Sequence, residues 1–251
     1  MGYSARFLTP FWVAVQFLTR VPVPGNLQFS EATQAHSLLY YPLVGLLLGV
    51  LLGHLPLPAE TALLNSAFLV TAWVVVTGGL HLDGLADSAD AWVGGQGNAV
   101  RTLQLMKDVA SGPIGVAAIV LVLLLKVAAL YELEVQNRLE LLLLSPLAGR
   151  TSALLLMMTT GYVRPGGLGA KMVAQLPHRA ALAVVLAVVA GVGIFFAAEG
   201  IALIVLMFAI VLMARQALVR RIGGITGDTI GAVIEFTETA AIVSLAWWPL
   251  G

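Results

Sequence analysis

The stretch TALLNSAFLVTAWVVVTGGLHLDGLADSADAW, residues 61–92, joins an apolar run to three closely spaced aspartates. Its first part, residues 61–80, contains no charged residue and matches the roughly 20 residues that a membrane-spanning helix needs. Its second part carries Asp83, Asp87 and Asp90. The junction therefore predicts a helix that ends at a membrane surface with a carboxylate-rich segment directly behind it.

The composition extends this interpretation to the whole chain. Of 251 residues, 59% are hydrophobic and 10% are charged, whereas soluble domains average about 25% charged residues. We therefore predict an all-α, polytopic helical bundle that forms one integral membrane domain over residues 1–251. The formal net charge is zero, which gives no electrostatic reason to expect a nucleic-acid partner. The absence of cysteine excludes disulfides, thiolate metal ligands and a cysteine nucleophile.

The apolar runs predict about seven transmembrane helices in contact with the lipid bilayer. They lie near residues 38–56, 61–80, 113–131, 141–160, 180–198, 201–214 and 230–249. The sixth run is short and can extend to Leu218, and the break at Glu199-Gly200 predicts a hairpin between the fifth and sixth helices. The N-terminal segment, residues 1–25, is predicted to be an interfacial amphipathic helix, with a signal anchor as the alternative.

Basic residues predict which loops share one side of the membrane, because lysine and arginine are enriched in cytoplasmic loops. With seven spans, the loops 81–112, 161–179 and 215–229 hold most of the basic residues, and the opposite side holds Arg138. We therefore expect these three loops in the cytoplasm. The same side receives five aspartates, namely Asp83, Asp87, Asp90, Asp108 and Asp228. Five carboxylates on one face indicate a site.

Asp83, Asp87 and Asp90 follow the spacing i, i+4, i+7, which places them within about 60° of one face of a helix. Three anions on one face repel one another, and a divalent cation removes that repulsion. Oxygen ligands without cysteine suit a hard ion such as Mg²⁺ or Mn²⁺. His81 is a further candidate ligand, with a hydrogen-bonded histidine at the helix end as its alternative. The alternative for the whole stretch is a solvated polar turn.

A second stretch, RTLQLMKDVASGPIG at residues 101–115, combines cations with a predicted helix start. Arg101 and Lys107 can bind phosphate oxygens, and Asp108 adds a carboxylate. Gly112 and Gly115 open the next span, and a helix N-terminus behind glycines suits a phosphate. An ordinary loop-to-helix junction with positive-inside charges is the equal alternative.

A third stretch, RRIGGITGDTIGAVIEFTETA, covers residues 220–240. Its glycines allow backbone amides to approach a ligand closely, and its first aspartate can cap the last span. Two glutamates then fall inside an apolar helix, where an ionisable group is costly and indicates function. The alternative is a buried pair satisfied by serine, threonine or arginine from other helices. The candidate residues are Gly223, Gly224, Gly227, Asp228, Glu235 and Glu238.

Five stretches in this order resemble the cobalamin synthase family, and the resemblance covers nearly the whole chain. They are FLTRVPVP at 17–24, YYPLVGLLLG at 40–49, TGGLHLDGLADSADAW at 77–92, MKDVASGPIGV at 106–116 and GGITGDTIGA at 223–232. The resemblance implies a Mg²⁺-dependent enzyme of the prokaryotic inner membrane, with its active site facing the cytoplasm. It implies transfer of the cobinamide phosphate from adenosylcobinamide-GDP to alpha-ribazole or alpha-ribazole 5'-phosphate, with release of GMP.

With this chemistry in view, the three aspartates of residues 83–90 are assigned to Mg²⁺, and Lys107 and Arg101 to phosphate oxygens. Asp108 is the first choice of base for the acceptor hydroxyl, and Asp90 is the second. Residues 223–228 would form a wall for the nucleotide or ribazole, and the two glutamates would orient that wall or take a second ion. A CDP-alcohol-type lipid phosphotransferase, an ion-coupled transporter and a structural subunit remain as alternatives. The sequence leaves monomer and homodimer open.

Overall fold

A computed structural model describes residues 3–25, 30–57, 60–108, 110–164, 166 and 168–248. Within these ranges the regular secondary structure is helical, which confirms the predicted all-α class. The helices are α1 Tyr3–Leu18, α2 Glu31–Ser37, α3 Tyr41–Gly53, α4 Ala62–Thr77, α5 Leu80–Gly94, α6 Ala99–Leu105, α7 Pro113–Val135, α8 Leu144–Thr159, α9 Leu168–Ala174, α10 His178–Ile222 and α11 Gly227–Trp247. The 3₁₀ turns Leu38–Tyr40 and Leu139–Leu143 lead into α3 and α8.

Five helical stretches of the described chain are long and apolar enough to cross a membrane. They are Glu31–Gly53, Pro113–Val135, Leu139–Thr159, His178–Ile222 and Gly227–Trp247. A sixth candidate is the pair α4 and α5, which passes the same test only together and is bent by 89°. The bend lies at Gly78 and Gly79, whose φ angles of 65° and 67° are rarely adopted by residues with a side chain. The predicted second span therefore ends at Thr77, and a separate helix carries the aspartates.

The 45-residue helix α10 is a hairpin of two arms. Ala197 leaves the helical conformation with a φ of 42° and a ψ of −121°. A side chain at Gly200 would collide with the carbonyl oxygen of Val192, although eight residues of straight helix would separate them by about 12 Å. The predicted turn near Glu199-Gly200 thus lies close to the observed break. The count of seven spans requires each arm to cross separately, and it stays a prediction.

Helix α8 lies at the centre of the bundle, and its residues Leu144–Met157 are buried throughout. Helix α3 packs closely against it through two glycines. Side chains at Gly45 and Gly49 would collide with the backbone of Pro146 and Leu143. Helices in a membrane usually associate by close packing at small residues. The hydrophobic effect does not drive their association, because lipid tails are as apolar as the side chains.

Helix α1 packs onto α2 and α3. Its residues Val13, Ala14, Val15 and Leu18 are buried. Its apolar part, Leu8–Leu18, is shorter than the helices that qualify as spans. The length agrees with the predicted interfacial helix, and its position in the interface stays a prediction.

The three loops that the basic residues placed on one side of the membrane meet at one end of the bundle. The Val163 amide donates to the Ile225 carbonyl over 2.9 Å, which joins loop 161–179 to loop 215–229. Arg221 donates through Nη2 to the Trp92 carbonyl over 2.5 Å, which joins loop 215–229 to the end of α5. The contacts agree with the predicted common side of these loops, and their location in the cytoplasm stays a prediction.

Candidate functional site at the loop end of the bundle

Helix α5 presents the aspartates of the most specific sequence motif. Asp83 is exposed, whereas Asp87 and Asp90 are half-buried. The predicted helix over residues 82–92 is confirmed, so the i, i+4, i+7 spacing places these carboxylates on neighbouring turns. Helix α5 buries Leu82 and Leu85 on its other side, against Val122 of α7 and Ala232 of α11.

The start of α11 packs directly against α5, and this contact joins two motifs that are far apart in sequence. An added Cβ at Gly84 would lie 2.7 Å from the Asp228 carbonyl oxygen, and one at Gly231 would lie 3.3 Å from the Cα of His81. The glycines therefore permit a close approach that larger residues would prevent. Asp228 reaches the aspartates of α5 through this contact, and its charge repels those of Asp83 and Asp87. We call Asp83, Asp87, Asp90 and Asp228 the aspartate cluster.

Residues 161–164 place a cation beside the aspartate cluster. They are not among the site residues predicted from the sequence. Tyr162 bridges to Ile225 in parallel, and the Ile225 amide donates to the Gly161 carbonyl over 2.9 Å. This pairing places Arg164 beside Asp228, with 2.8 Å between Nη1 and Oδ2. Arg164 belongs to the loop 161–179, whose basic residues predict only a side of the membrane. Its position in a glycine-rich loop on the same side as the aspartates was the available signal.

Asp90 caps the N-terminus of α7. Its carboxylate accepts a hydrogen bond from the Gly112 amide over 2.6 Å and another from the Gly115 amide over 2.9 Å. These two amides were expected to face a substrate phosphate, and in the structure the carboxylate takes that position. A carboxylate suits a helix N-terminus for the same reason as a phosphate, namely the unpaired amides and the positive end of the helix dipole. Both oxygens of a predicted metal ligand thus have backbone partners.

The loop after α6 forms the rim of the site. The Met106 carbonyl accepts from Arg164 Nη2 over 3.4 Å, so the residues that follow it start beside the aspartate cluster. Lys107 and Asp108 are both exposed there. Asp108 Oδ1 accepts from the Ala110 amide over 3.2 Å, which is a local turn contact. Arg101 is exposed on α6, and its assignment to a phosphate stays a prediction.

The glycines of the third motif shape the turn between α10 and α11. Gly223 ends α10 in the left-handed conformation, with a φ of 82°. A side chain at Gly224 would collide with the Gly161 carbonyl, so a larger residue there would push away the loop that carries Arg164. The Gly227 amide donates to the Tyr162 hydroxyl over 3.1 Å. The third motif is therefore a tightly packed turn that positions Arg164 and Asp228, and its role as a wall for a ligand stays a prediction.

A cavity of about 280 Å³ opens beside the cluster. Asp83, Gly84, Gly227 and Asp228 line it together with His81, and apolar residues of α1, α3, α8 and α9 line its other walls. His81 is buried, and its Nδ1 has no hydrogen-bond partner among the described residues. The cavity thus combines carboxylates at one end with an apolar enclosure, which is typical of a binding site for a small molecule.

Glu235 and Glu238 lie deeper in α11, in a separate group of charges. Lys126 Nζ lies 2.7 Å from Glu235 Oε2 and 2.8 Å from Glu238 Oε2, and Arg150 pairs with the other oxygen of Glu238. Lys126 also lies over the ring of Trp73, 4.2 Å from its centroid. We call these four charged residues the buried ion-pair network. This geometry agrees with the alternative interpretation of the two glutamates, namely a buried pair satisfied by side chains from other helices. The cations that satisfy it are Lys126 of α7 and Arg150 of α8.

The oxygen-rich donor set at the loop end suits the chemistry of Mg²⁺. Among the described residues, no three aspartate, glutamate or histidine side chains converge as a complete metal site would. Mg²⁺ usually keeps several waters and binds one or two protein carboxylates together with substrate phosphates, so a complete protein cage is not required. Asp83 and Asp87 are the residues of the cluster that would hold it, since Asp90 caps α7 and Asp228 pairs with Arg164.

These features define a multi-pass helical membrane protein whose candidate site lies where three loops meet at one end of the bundle. The sequence pattern of cobalamin-5-phosphate synthase matches residues 10–246. A Pseudomonas entomophila protein named adenosylcobinamide-GDP ribazoletransferase is 48% identical over 95% of this chain and 99% of its own length. Proteins with the same name from Pseudomonas putida and Stutzerimonas stutzeri are 50% and 46% identical, over 95% of this chain and 99% and 98% of their own.

The chain belongs to the cobalamin-5-phosphate synthase family. The resemblance stated from five motifs is thereby confirmed over nearly the full length. No solved structure matches the chain.

Proposed function

We propose that this protein transfers the adenosylcobinamide phosphate of adenosylcobinamide-GDP to alpha-ribazole or its 5'-phosphate, releasing GMP. The family and the names of the relatives support the reaction. They favour it over a lipid phosphotransferase, an ion-coupled transporter or a structural subunit. The reaction completes the nucleotide loop of a corrinoid, and we place it on the cytoplasmic face of a prokaryotic inner membrane.

The contact between Gly84 and Asp228 is the observation that carries this proposal at the level of the structure. It brings Asp83 of α5 and Asp228 of α11 to one cavity, and Arg164 pairs with Asp228. Four carboxylates against one paired cation leave an excess of negative charge. A bound divalent cation would offset most of that excess and would at the same time give the phosphates of a substrate a positive partner.

Within this proposal Asp83 and Asp87 hold Mg²⁺, which supplies charge stabilisation to the phosphates when it is bound. Lys107 and Arg101 reach phosphate oxygens from the rim. Asp90 remains a predicted third ligand and second-choice base, beside its contacts to α7. All residues in this assignment belong to one chain, so the proposal does not depend on the homodimer, which stays an expectation.

The reaction breaks the phosphoanhydride bond of the activated substrate and forms a phosphodiester. The ribose 3'-hydroxyl oxygen of the ribazole attacks the phosphorus on the cobinamide side, and the bond from that phosphorus to the bridging oxygen breaks. GMP leaves with the bridging oxygen, and the hydroxyl proton passes to a base, for which Asp108 is the first choice. The protein contributes mainly orientation and charge stabilisation, as in other phosphoryl transfers.

Release of GMP from adenosylcobinamide-GDP by the purified full-length protein tests the proposal. We expect release that requires both a ribazole acceptor and a divalent cation. A CDP-alcohol with a lipid acceptor is the matched control for the lipid phosphotransferase alternative, and it should give no product. GMP release that persists without an acceptor would indicate hydrolysis and contradict the proposed transfer.

A further inference from the structure

Four amides at the helix N-termini beside the cluster donate their hydrogen bonds within the protein. At the start of α7, the Gly112 and Gly115 amides donate to Asp90. At the start of α11, the Gly227 amide donates to Tyr162. The Thr229 amide donates to Thr226 Oγ1 over 3.2 Å. Because these four backbone donors are taken, we look to side-chain cations for contacts with the phosphates of a substrate.

Arg164 is the cation in contact with the cluster. Within the described part of the chain, no other lysine or arginine forms an ion pair with any of the four aspartates. One terminal nitrogen pairs with Asp228, the other reaches the Met106 carbonyl at 3.4 Å, and the buried Nε has no partner. A guanidinium carries five N–H donors, so Arg164 keeps donors for a further ligand.

The segment that leads into Arg164 is held by contacts with the turn between α10 and α11. Val163 donates to the Ile225 carbonyl, and Ile225 donates to the Gly161 carbonyl, each over 2.9 Å. The Tyr162 hydroxyl accepts from the Gly227 amide. The backbone beside Arg164 is therefore anchored, and an exchange of its ionic partner requires movement of the side chain alone.

We propose that Arg164 binds the diphosphate of the nucleotide-activated substrate, and that Asp228 occupies the guanidinium in competition with the phosphates until the substrate binds. This inference rests on the proposed function, because that reaction supplies the diphosphate. The planar guanidinium matches two phosphate oxygens with parallel N–H donors. The charge of two phosphates competes with the single carboxylate of Asp228, so the guanidinium changes partners when the substrate binds.

Calorimetric titration of GDP into the purified full-length protein, with a chelator present, tests this assignment. We expect Arg164→Gln to weaken GDP binding roughly 10- to 100-fold, the range that a charge-assisted hydrogen bond supports. The GDP affinity of Arg164→Lys should lie between those of the wild type and Arg164→Gln, because lysine keeps the charge but lacks the two parallel N–H donors of the guanidinium. Guanosine lacks phosphates and should bind both proteins alike. Arg179→Gln is the matched control, since Arg179 is an exposed arginine at the start of α10, and it should bind GDP like the wild type.

Asp228→Asn distinguishes phosphate binding from a structural ion pair. If Asp228 competes with phosphate for Arg164, this variant should bind GDP more tightly than the wild type in the absence of metal. An ion pair that only holds the loop predicts weaker GDP binding in both variants. The GDP affinities of Asp228→Asn and Arg164→Lys test the phosphate-binding role of Arg164 even if Arg164→Gln does not fold. Unchanged GDP affinity in Arg164→Lys, or weaker affinity in Asp228→Asn, would overturn the assignment.

GMP release by the wild type separates this inference from the proposed function. If the wild type releases no GMP from adenosylcobinamide-GDP, the proposed function fails. If GMP release is normal and Arg164→Gln binds GDP as the wild type does, only the role of Arg164 fails. A wild type that releases GMP but does not bind GDP contradicts the role of Arg164 as well.

Discussion

Two groups of charged side chains lie at different depths of the helical bundle, and their charges are balanced differently. The buried ion-pair network pairs Lys126 and Arg150 with Glu235 and Glu238, so its formal charges cancel. The aspartate cluster at the loop end sets four carboxylates against the one guanidinium of Arg164. One group is complete within the protein, and the other has an excess of negative charge next to a cavity.

This difference in charge balance indicates that the buried ion-pair network stabilises the fold and that the aspartate cluster binds a ligand. Burial makes an unpaired charge expensive, so a group deep in the bundle persists only when it is paired within the protein. A group at the rim is hydrated and can keep an excess of one sign until a cation or substrate binds. We therefore expect substitutions in the buried network to change stability first, and substitutions in the aspartate cluster to change activity first.

The largest effect is expected in the buried network. Lys126→Met removes one cation and leaves two glutamates with Arg150 alone, which should lower the free energy of unfolding by about 3–5 kcal/mol. Unfolding in detergent micelles titrated with SDS measures this loss. The double variant Lys126→Met, Glu235→Gln should recover part of it, because it restores the charge balance. A Lys126→Met protein that is as stable as the wild type but inactive would assign the network to the substrate instead.

The aspartate cluster should show the opposite behaviour. Asp87→Asn should lower GMP release about 100-fold, the size of effect seen when one charge-stabilising group is lost. It should not lower stability, since the substitution removes one of several carboxylates that repel one another. Where activity survives, half-maximal release should require more Mg²⁺. Comparing GMP release across a Mg²⁺ titration with thermal unfolding tests both parts, and a large loss of stability would place Asp87 with the structural charges.

Asp90 is an intermediate case, because the structure gives it a capping role and the sequence predicts a metal ligand. Asp90→Asn presents an NH₂ group to one of the two amides of α7, which should cost about 1–2 kcal/mol of stability. The Mg²⁺ concentration for half-maximal release should stay close to that of the wild type. A shifted Mg²⁺ requirement at unchanged stability would instead identify Asp90 as a metal ligand.

A smaller effect is expected at the rim. Lys107→Ala should lower turnover about tenfold, because a phosphate contact made in the transition state is lost. The Mg²⁺ requirement should stay nearly unchanged, in contrast to Asp87→Asn. Arg179→Ala is the control for a general loss of positive charge on this side. If Lys107→Ala shifts the Mg²⁺ requirement and Asp87→Asn does not, the two roles are inverted.

The smallest effect on activity is expected from a cysteine that reports the side of the membrane. Val100 is 66% exposed on α6 and lies outside the site, so Val100→Cys should keep its activity. In this cysteine-free chain, its thiol should react with a membrane-permeant maleimide and resist an impermeant one added to intact cells. Labelling by the impermeant reagent would show that the loop end faces away from the cytoplasm, and it would contradict the proposed cytoplasmic location of the site.

Local patterns predicted the parts of the structure that depend on neighbouring residues. The spacing of Asp83, Asp87 and Asp90 predicted the face of α5, and the break at Glu199-Gly200 predicted the turn of α10 to within a few residues. The basic residues predicted that three loops share one side. Each of these features follows from helix periodicity, helix breakers or charge asymmetry, all of which can be counted along the chain.

The roles of individual residues depend on contacts between residues that are far apart in sequence, and local sequence patterns do not predict such contacts. Asp90 caps α7 only because α5 packs beside it, and Arg164 reaches Asp228 only because residues 161–163 pair with Ile225. Lys126 could be recognised as a charge inside an apolar run, but its partners lie on another helix. Sequence reasoning therefore placed most of the candidates at the correct end of the bundle and left their individual partners undetermined.

The corner at Gly78 and Gly79 also sets the rotational phase of α5. It turns the chain by 89° without an intervening loop, so few residues are available to absorb a change in length. Each residue of a helix advances the side chains by about 100° around its axis. One residue inserted between Leu80 and Asp83 would therefore turn all three aspartates of α5 away from Asp228, while composition and charge stayed almost the same. The site depends on an angular register that begins at this corner.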